Sequence, residues 1–263
     1  MLLVTGGAGF IGSCLIWRLN EEGRNDIVVV DDYGSGSKWK NLAKRRSFLP
    51  LHRDQLFEWL KVSGDSVTTV FHMGACSTTT ETNVDYLFSN NVLYSANLLR
   101  FCKERKIPFI YASSAATYGN GEFGYKDDQT TSWNVRPINP YGLSKSMFDQ
   151  HVMQMDRQGD RPPFWAGLKF FNVYGPQEYH KGGQASVIFH AFPQVRDTKQ
   201  LKLFKSYRNG CAHGEQKRDF VYVKDVVDIM IHLWRNWGHI PSGIYNAGSG
   251  KARTFIDLGN AVF

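Results

Sequence analysis

An open α/β fold, with a doubly wound parallel sheet and a smaller lobe, is what this 263-residue sequence predicts, on three observations. At the start of the chain an apolar run at 2–4, a turn spaced by Gly6, Gly9 and Gly12, and an amphipathic run from Phe10 follow one another. Apolar runs then recur with helical stretches between them, the pattern of parallel strands joined by crossover helices. The composition, 42% hydrophobic and 21% charged, is that of a globular chain long enough to bury a full core.

In chain order, strands are expected at 2–4, 27–30, 67–72, 109–112 and 166–171, and helices at 10–22, 54–62, 84–105 and 140–157. The first turn carries the most information. Spaced glycines allow a tight strand-to-helix turn and close approach of backbone to a pyrophosphate, and the helix start offers free N–H groups to phosphate. The run Ile27-Val28-Val29-Val30 is β-branched and ends in Asp31-Asp32, the acid expected after the second strand of a dinucleotide-binding unit. The segment 119–139, rich in Gly, Asp, Thr and Asn, is expected as a loop at a strand's carboxyl end, where ligands bind in such sheets. Pro140 is suited to the first turn of the helix that follows.

Beyond Phe171 the periodicity is broken by Gly175-Pro176, Gly182-Gly183 and a polar insert at 207–216, and it resumes at 220–234. The expected organisation is therefore a Rossmann-type dinucleotide-binding domain at 1–172 and 217–247. A substrate-binding lobe is expected at 173–216 and 248–263.

No apolar run approaches the roughly 20 residues that span a bilayer. The first strand starts at once after Met1, leaving no room for a signal peptide. The four cysteines form no C-x-x-C pair, which argues against a zinc site or disulfide framework. A cytoplasmic protein without metal is expected. The net charge of +7 invites an anionic ligand, and Lys38, Lys40, Lys44, Arg45 and Arg46 form the densest basic cluster. For Lys44 to Arg46 a solvated helix face is the competing reading. With no nucleic-acid-binding motif, neither nucleic acid nor membrane is expected as a partner.

The glycine spacing, with Thr5 before it, is similar to that of the extended short-chain dehydrogenase/reductase superfamily. The resemblance implies a Tyr-x-x-x-Lys farther on, and the sequence supplies Tyr141-Gly142-Leu143-Ser144-Lys145. Residues four apart share a helix face, and an ammonium there is expected to lower the phenol's pKa, making Tyr141 a general acid or base. Ser114, at a strand's carboxyl end, stands in the superfamily's hydroxyl position and can hydrogen-bond a substrate oxygen.

The likeness narrows at His72-Met73-Gly74-Ala75-Cys76-Ser77, at Tyr111-Ala112-Ser113-Ser114-Ala115-Ala116-Thr117-Tyr118-Gly119 and at Phe170-Phe171-Asn172-Val173-Tyr174-Gly175-Pro176. It continues at His180-Lys181-Gly182, Ala185-Ser186-Val187 and Lys217-Arg218-Asp219-Phe220-Val221-Tyr222-Val223. These segments resemble the ADP-L-glycero-D-manno-heptose 6-epimerase family of lipopolysaccharide precursor synthesis, over essentially the whole chain. The His-Lys-Gly segment discriminates most.

The resemblance implies cofactor contacts at Phe10, Ile11, Asp31, Asp32, Lys38, Arg53, Met73, Gly74, Ala75, Cys76, Ser77 and Asn90. To these it adds Gly6, Gly9 and Gly12 of the turn, and Lys145, Val173 and Lys181. It implies catalysis by Tyr141, with Lys145 and Ser114 in support and Lys181 as a second acid/base. Substrate contacts are implied at Ser114, Asn172, Gly183, His190, Phe204, Lys205, Ser206, Tyr207 and Arg218. Met73 replaces the usual glutamate, Gly183 replaces a residue with a side chain, and Arg53 stands where a lysine is common. The chain also reads as ending short of the family's length, so a C-terminally truncated, incomplete lobe is expected.

Inverting an unactivated C–OH carbon can proceed by hydride removal to a nicotinamide, giving a transient ketone, and hydride return to the opposite face. Two faces call for two proton-exchanging groups, which Tyr141 and Lys181 would supply. NADP is the expected cofactor, on Lys38 and Arg53; NAD remains the alternative, on Asp31 and Asp32. A related nucleotide-sugar epimerase or dehydratase, or a non-catalytic dinucleotide-binding protein, stays open. A dehydratase should carry an acidic pair after the active-site threonine, and Ala116-Thr117-Tyr118 has none. The family further implies an ADP-heptose substrate and a homo-oligomer, commonly a pentamer.

Overall fold

The computed structural model describes residues 1–207 and 209–263. The chain runs β1 (Leu2–Thr5), α1 (Phe10–Glu21), β2 (Ile27–Asp31), β3 (Leu49–His52), α2 (Leu56–Ser63), β4 (Thr69–His72), α3 (Val84–Leu87), α4 (Tyr94–Glu104) and β5 (Phe109–Ser114). It continues through α5 (Gln129–Asn134), α6 (Pro140–Arg157), β6 (Trp165–Phe170), β7 (Asn172–Tyr174), α7 (Val187–Thr198), β8 (Lys217–Tyr222), α8 (Val223–Asn236), β9 (Gly243–Ala247), β10 (Ala252–Thr254) and α9 (Phe255–Val262).

The seven-stranded sheet has the order β3-β2-β1-β4-β5-β6-β9, and each of its ladders is parallel. The order reverses between β1 and β4, and the crevice beyond their carboxyl ends is where such sheets bind ligands. Alternation along the strands divides the core. Leu2 and Val4 pack with Leu15, Ile16, Val226 and Met230 on the α1/α8 face. Leu3, Val28 and Val30 pack with Leu56, Leu98, Phe148 and Val152 on the α2/α4/α6 face. This is the doubly wound architecture that the sequence pattern predicts.

Several local expectations are corrected. The segment 119–139 is not all loop, since Asp128 caps the short α5 by accepting from the Thr131 N–H. The stretch 84–105 is helical but not uniformly α: a π-helical turn at Phe88–Leu93 joins α3 to α4. Lys44 to Arg46 do not form a helix face; they follow a 3-10 turn (Ser37–Asn41), and Arg45 donates to the Ser13 carbonyl. Residues 217–222, grouped by the sequence with the dinucleotide-binding domain but not among its expected strands, form the centre of a three-stranded sheet, β10-β8-β7. Its half-exposed strand pattern suits a sheet covered on one side only.

Candidate active site

The crevice at the strand-order reversal is floored by the glycine turn. Gly6 has φ +65°, and a Cβ there would lie 2.6 Å from the Gly74 amide nitrogen, so the loops after β1 and β4 touch backbone to backbone. Gly12 is as constrained: its Cβ would lie 2.2 Å from the Gly6 carbonyl oxygen. Helix α1 begins at Gly9 with no side-chain cap, leaving its first N–H groups free for an anion.

One cavity is lined by Gly6, Gly9, Phe10, Ile11, Gly12, Asp31, Asp32, Lys38, Arg53, Met73, Gly74, Ala75, Ser77, Asn90 and Lys181. Fifteen positions singled out as cofactor contacts, distant in sequence, thus meet there. Thr5, Val30, Tyr86, Tyr94 and His180 also line it and were missed. Val173 does not line it but packs against the core. This bare glycine floor, ending in cations, fits a nicotinamide dinucleotide.

At the far end of β2, Asp31 is buried, 6% exposed. One of its oxygens accepts the Ala8 N–H at 2.8 Å and the other accepts Lys38 Nζ at 2.7 Å. Lys38 also donates to the Asp32 carbonyl. Arg53 donates to Asn90 Oδ1, pairs with the exposed Asp54 and lies 6.0 Å from the Tyr94 ring centroid. Asp32 is exposed, 3.8 Å from His52.

The loop after β4 borders a second cluster. Ala75 and Ser77 line the cavity, and Cys76 between them lies within electrostatic reach of both Tyr141 and Lys145. Asn139 caps α6 by accepting the Gly142 N–H at 2.7 Å, with Pro140 in the first turn. That helix buries Tyr141 (8% exposed) and Lys145 (3% exposed) on its inner face. Ser114, at the end of β5, faces the Tyr141 hydroxyl closely enough to favour its charged form and accepts the Ala116 N–H.

The expected lowering of the Tyr141 pKa is overturned. Burial raises it, and the facing Ser114 side chain opposes this only in part. Desolvation likewise lowers the Lys145 ammonium to about 8, against the pull of Asp149. Both charged forms are penalised in so dry a place.

Asn91 was missed beside Asn90, and it is the hub. Fully buried, it accepts the Cys76 N–H and Asn90 Nδ2, and donates to the Cys76 carbonyl and Ser144 Oγ. Ser144 in turn donates to the Tyr141 carbonyl. Both adjacent asparagines are buried within the π turn, a feature found mostly as single turns at functional sites. Below them, Thr5, His72 and Ser95 form a buried hydrogen-bonded row that ends on the Asn91 carbonyl. Burial holds the His72 pKa at about 3.

Lys181 arrives on another segment, a 3-10 turn at Tyr179–Gln184. Its Nζ lies 5.5 Å from the Phe10 ring centroid, and desolvation lowers its pKa. Two buried side chains fix this segment. Asn41 donates to the carbonyls of Ala8 and Gln177 and meets His180 Nδ1. Glu178 accepts from Gly175 N and from Ser186 N and Oγ.

The remaining substrate-contact candidates lie outside the cofactor cavity. Asn172 and Arg218 are exposed on β7 and β8, and Asn172 donates to the Asp219 carbonyl. Gly183 and His190 are exposed around the start of α7. Phe204 stacks edge-on against Phe255, Lys205 lies over Tyr207, and the Ser206 N–H reaches His213. Among the described residues no cluster of His, Cys, Asp or Glu gathers as metal ligands, and no helix is long and apolar enough to cross a membrane.

Comparison with known proteins matches this architecture. Residues 2–248 match the NAD dependent epimerase/dehydratase family. An ADP-L-glycero-D-manno-heptose-6-epimerase of Fusobacterium nucleatum is 52% identical, over 99% of this chain and 78% of its own length. The crystal structure of the Helicobacter pylori ADP-L-glycero-D-manno-heptose-6-epimerase superposes with a TM-score of 0.82 at 31% identity, covering 99% of this chain and 80% of that one. The Thermus thermophilus UDP-glucose 4-epimerase, in complex with NAD, superposes with a TM-score of 0.76 at 28% identity, over 99% and 81%. With its glycine-floored crevice and its Ser–Tyr–Lys set, the chain belongs to the NAD dependent epimerase/dehydratase family, and within it to the ADP-L-glycero-D-manno-heptose-6-epimerases.

Proposed function

We propose that this protein inverts C6'' of ADP-D-glycero-D-manno-heptose to give ADP-L-glycero-D-manno-heptose, with NADP as its resident cofactor. The observation that carries this reading is that Lys181 lines the glycine-floored crevice together with Ala75 and Ser77, and that Cys76 between those two lies within electrostatic reach of Tyr141 and Lys145. When bound, the nicotinamide supplies a hydride acceptor and donor. Tyr141 exchanges the proton of the reacting hydroxyl on one face, with Ser114 orienting its phenol. Lys145 provides the cation that makes release of that proton easier. Lys181, poorly solvated and on a separately anchored turn, exchanges the proton on the other face. Gly183, His190 and 204–207 then hold the nucleotide sugar from the smaller lobe, formed by 173–216 and 248–263, with Asn172 and Arg218 reaching it from the edge of the dinucleotide-binding domain.

NADP is favoured over NAD by the way the acids are used. Asp31 already answers the Ala8 N–H and Lys38, so its charge is balanced within the protein. Arg53, on the same cavity wall, is paired with exposed Asp54 and neutral Asn90 and also interacts with Tyr86 and the Tyr94 ring, and its fork suits a 2'-phosphate. The four cysteines are free, as a reducing cytoplasm would keep them. A homo-oligomer, commonly a pentamer in the family, is proposed as the working assembly, to be checked by light scattering.

The test is incubation with ADP-D-glycero-D-manno-heptose, with C6'' configuration read by NMR and cofactor identified after denaturation. Inversion with NADP released is expected. Retention of configuration would overturn the epimerase reading. Release of NAD, with Arg53→Ala leaving cofactor preference unchanged, would overturn the choice of NADP.

A further inference from the structure

Behind the Ser–Tyr–Lys set lies a second ionic group that the reaction as written does not use. Asp149 and Lys169 are both fully buried, 0% exposed, with 3.6 Å between carboxylate and ammonium. Asp149 stands on α6 one turn beyond Lys145 and two beyond Tyr141. Its oxygens accept from the Tyr111 hydroxyl at 2.9 Å and the Ser113 hydroxyl at 2.7 Å, both on β5. Lys169, paired with Ser113 across β5 and β6, donates to Thr117 Oγ1 at 2.8 Å and lies 4.4 Å from the Tyr118 ring centroid. Thr117 passes the connection on by donating to the Ser114 carbonyl at 2.8 Å. Even the neighbouring strand is cut to fit: a Cβ on Gly167 would come within 2.4 Å of the Tyr111 hydroxyl.

Buried ion pairs of this kind are poor stabilisers, and apolar replacements are often neutral or better. This one joins the helix that carries Tyr141 and Lys145 to the strand end that carries Ser114. We propose that Asp149 and Lys169 are positioning residues for the Ser114–Tyr141–Lys145 set, Asp149 keeping the Lys145 ammonium charged and Lys169, through Thr117, holding Ser114 against Tyr141. The inference rests on the proposed acid/base role of that set.

The titratable and charged groups that face Lys145 are Asp149 on its own helix, with Tyr141 one turn back, His72 on β4 and Cys76 after β4. Asp149 faces Lys145, Lys169, Tyr111 and Ser113, and Asp127 reaches Lys169 from the 119–139 segment. His72, held neutral, adds no charge. Asp149 is therefore the carboxylate that offsets the desolvation of Lys145.

The test uses two holoenzyme variants with opposite expected signs. A charge one helical turn away, about 5–6 Å between Cβ atoms, at an effective dielectric of about 20, moves a titration by about two pH units. Asp149→Asn keeps the shape and removes the charge. The alkaline limb of kcat, set by loss of the Lys145 proton, should move toward neutrality by about that amount. Lys169→Met leaves the Asp149 charge to be answered by Lys145, so the same limb should move upward. A merely structural pair would lower kcat in both variants without displacing the limbs in opposite directions.

The same titration is read without substrate from the ¹⁵N shift of Lys145 Nζ, assigned by its loss in Lys145→Met. An inactive wild type would defeat the proposed function and leave this reading to the NMR titration. Unmoved or same-direction titrations in folded variants would overturn the positioning role. If Asp149→Asn does not fold, the upward shift in Lys169→Met decides alone.

Discussion

Gly12→Ala should separate the glycine turn's role from general glycine effects. The added Cβ would lie 2.2 Å from the Gly6 oxygen, 2.8 Å from the Gly6 carbonyl carbon and 2.9 Å from the Gly7 Cα. All three are backbone atoms, so no side chain can swing aside. Gly6 cannot retreat either, because it already faces the Gly74 backbone. The turn must lift, carrying the Ala8 N–H away from Asp31, a contact of 2.8 Å. Overpacking costs about 1–3 kcal/mol, and losing the charge-assisted hydrogen bond costs about 1.5–3 kcal/mol. A total of about 2.5–6 kcal/mol corresponds to a Tm lower by roughly 5–24 °C for a chain of this size. Gly36→Ala is the control, since Gly36 has φ −86°, is exposed and has nothing within 4 Å of where the added methyl would sit. It should be neutral or stabilising, by up to about 1 kcal/mol. Thermal melts with and without NADP, and a cofactor titration, give the answer. If Gly12→Ala melted and bound cofactor like Gly36→Ala, the close-approach argument would be refuted.

Tyr141→Phe should retain cofactor and lose about 10²–10⁴ in kcat, since the ring still packs but no proton is exchanged; near-normal turnover would remove Tyr141 from the chemistry. Lys181→Met should lower kcat, whereas a rise in KM alone would make Lys181 a binding residue. Turnover should decline as pH rises through about 8, where Lys145 loses its proton. Over the same range stability should rise from this group, because the unfolded chain still binds that proton up to about 10.5; melts and rates measured across pH 7–11 would check that the two trends oppose. On the acid side, His72 titrates near 3 when folded and near 6.5 when unfolded. The unfolded chain binds the extra proton there, so stability should fall as pH drops from about 6.5 toward 3, and a flat stability profile over that interval would exclude it.

Much of this was legible in the sequence because it is local. The glycine turn, the β-branched β2 with its terminal acid, and the Tyr141–Lys145 pair each sit within one element, where spacing fixes geometry. Helix α6 begins and ends at its expected limits, because Asn139-Pro140 marks its start. The edge strands were not legible. β3 reads Leu-Pro-Leu-His and is half-exposed, tolerable only at the edge it occupies. β9 is short and half-buried at the other edge. The supporting side chains were invisible for another reason. Asn41 meets His180 and Lys169 meets Thr117 across long stretches of sequence, and only the folded topology brings them together. The direction of the Tyr141 shift was misjudged because spacing reports the nearby ammonium but not the loss of water around both groups.

The row of hydroxyls and imidazole beneath the crevice has a polarity. The Gly74 amide can only donate, and it donates to Thr5 Oγ1. The proton of Thr5 then points to His72 Nδ1, 2.6 Å away, so the ring carries its hydrogen on Nε2. Nε2–H faces Ser95 Oγ at 2.7 Å, and the Ser95 proton ends on the Asn91 carbonyl, which can only accept. Because the carbonyl at the far end takes the Ser95 proton, Ser95 Oγ is left to accept from Nε2–H, and that tautomer of His72 is the one favoured. A histidine so close to the chemistry is thereby disqualified as a proton relay; it works as a spacer of fixed length between the glycine turn and the asparagine hub.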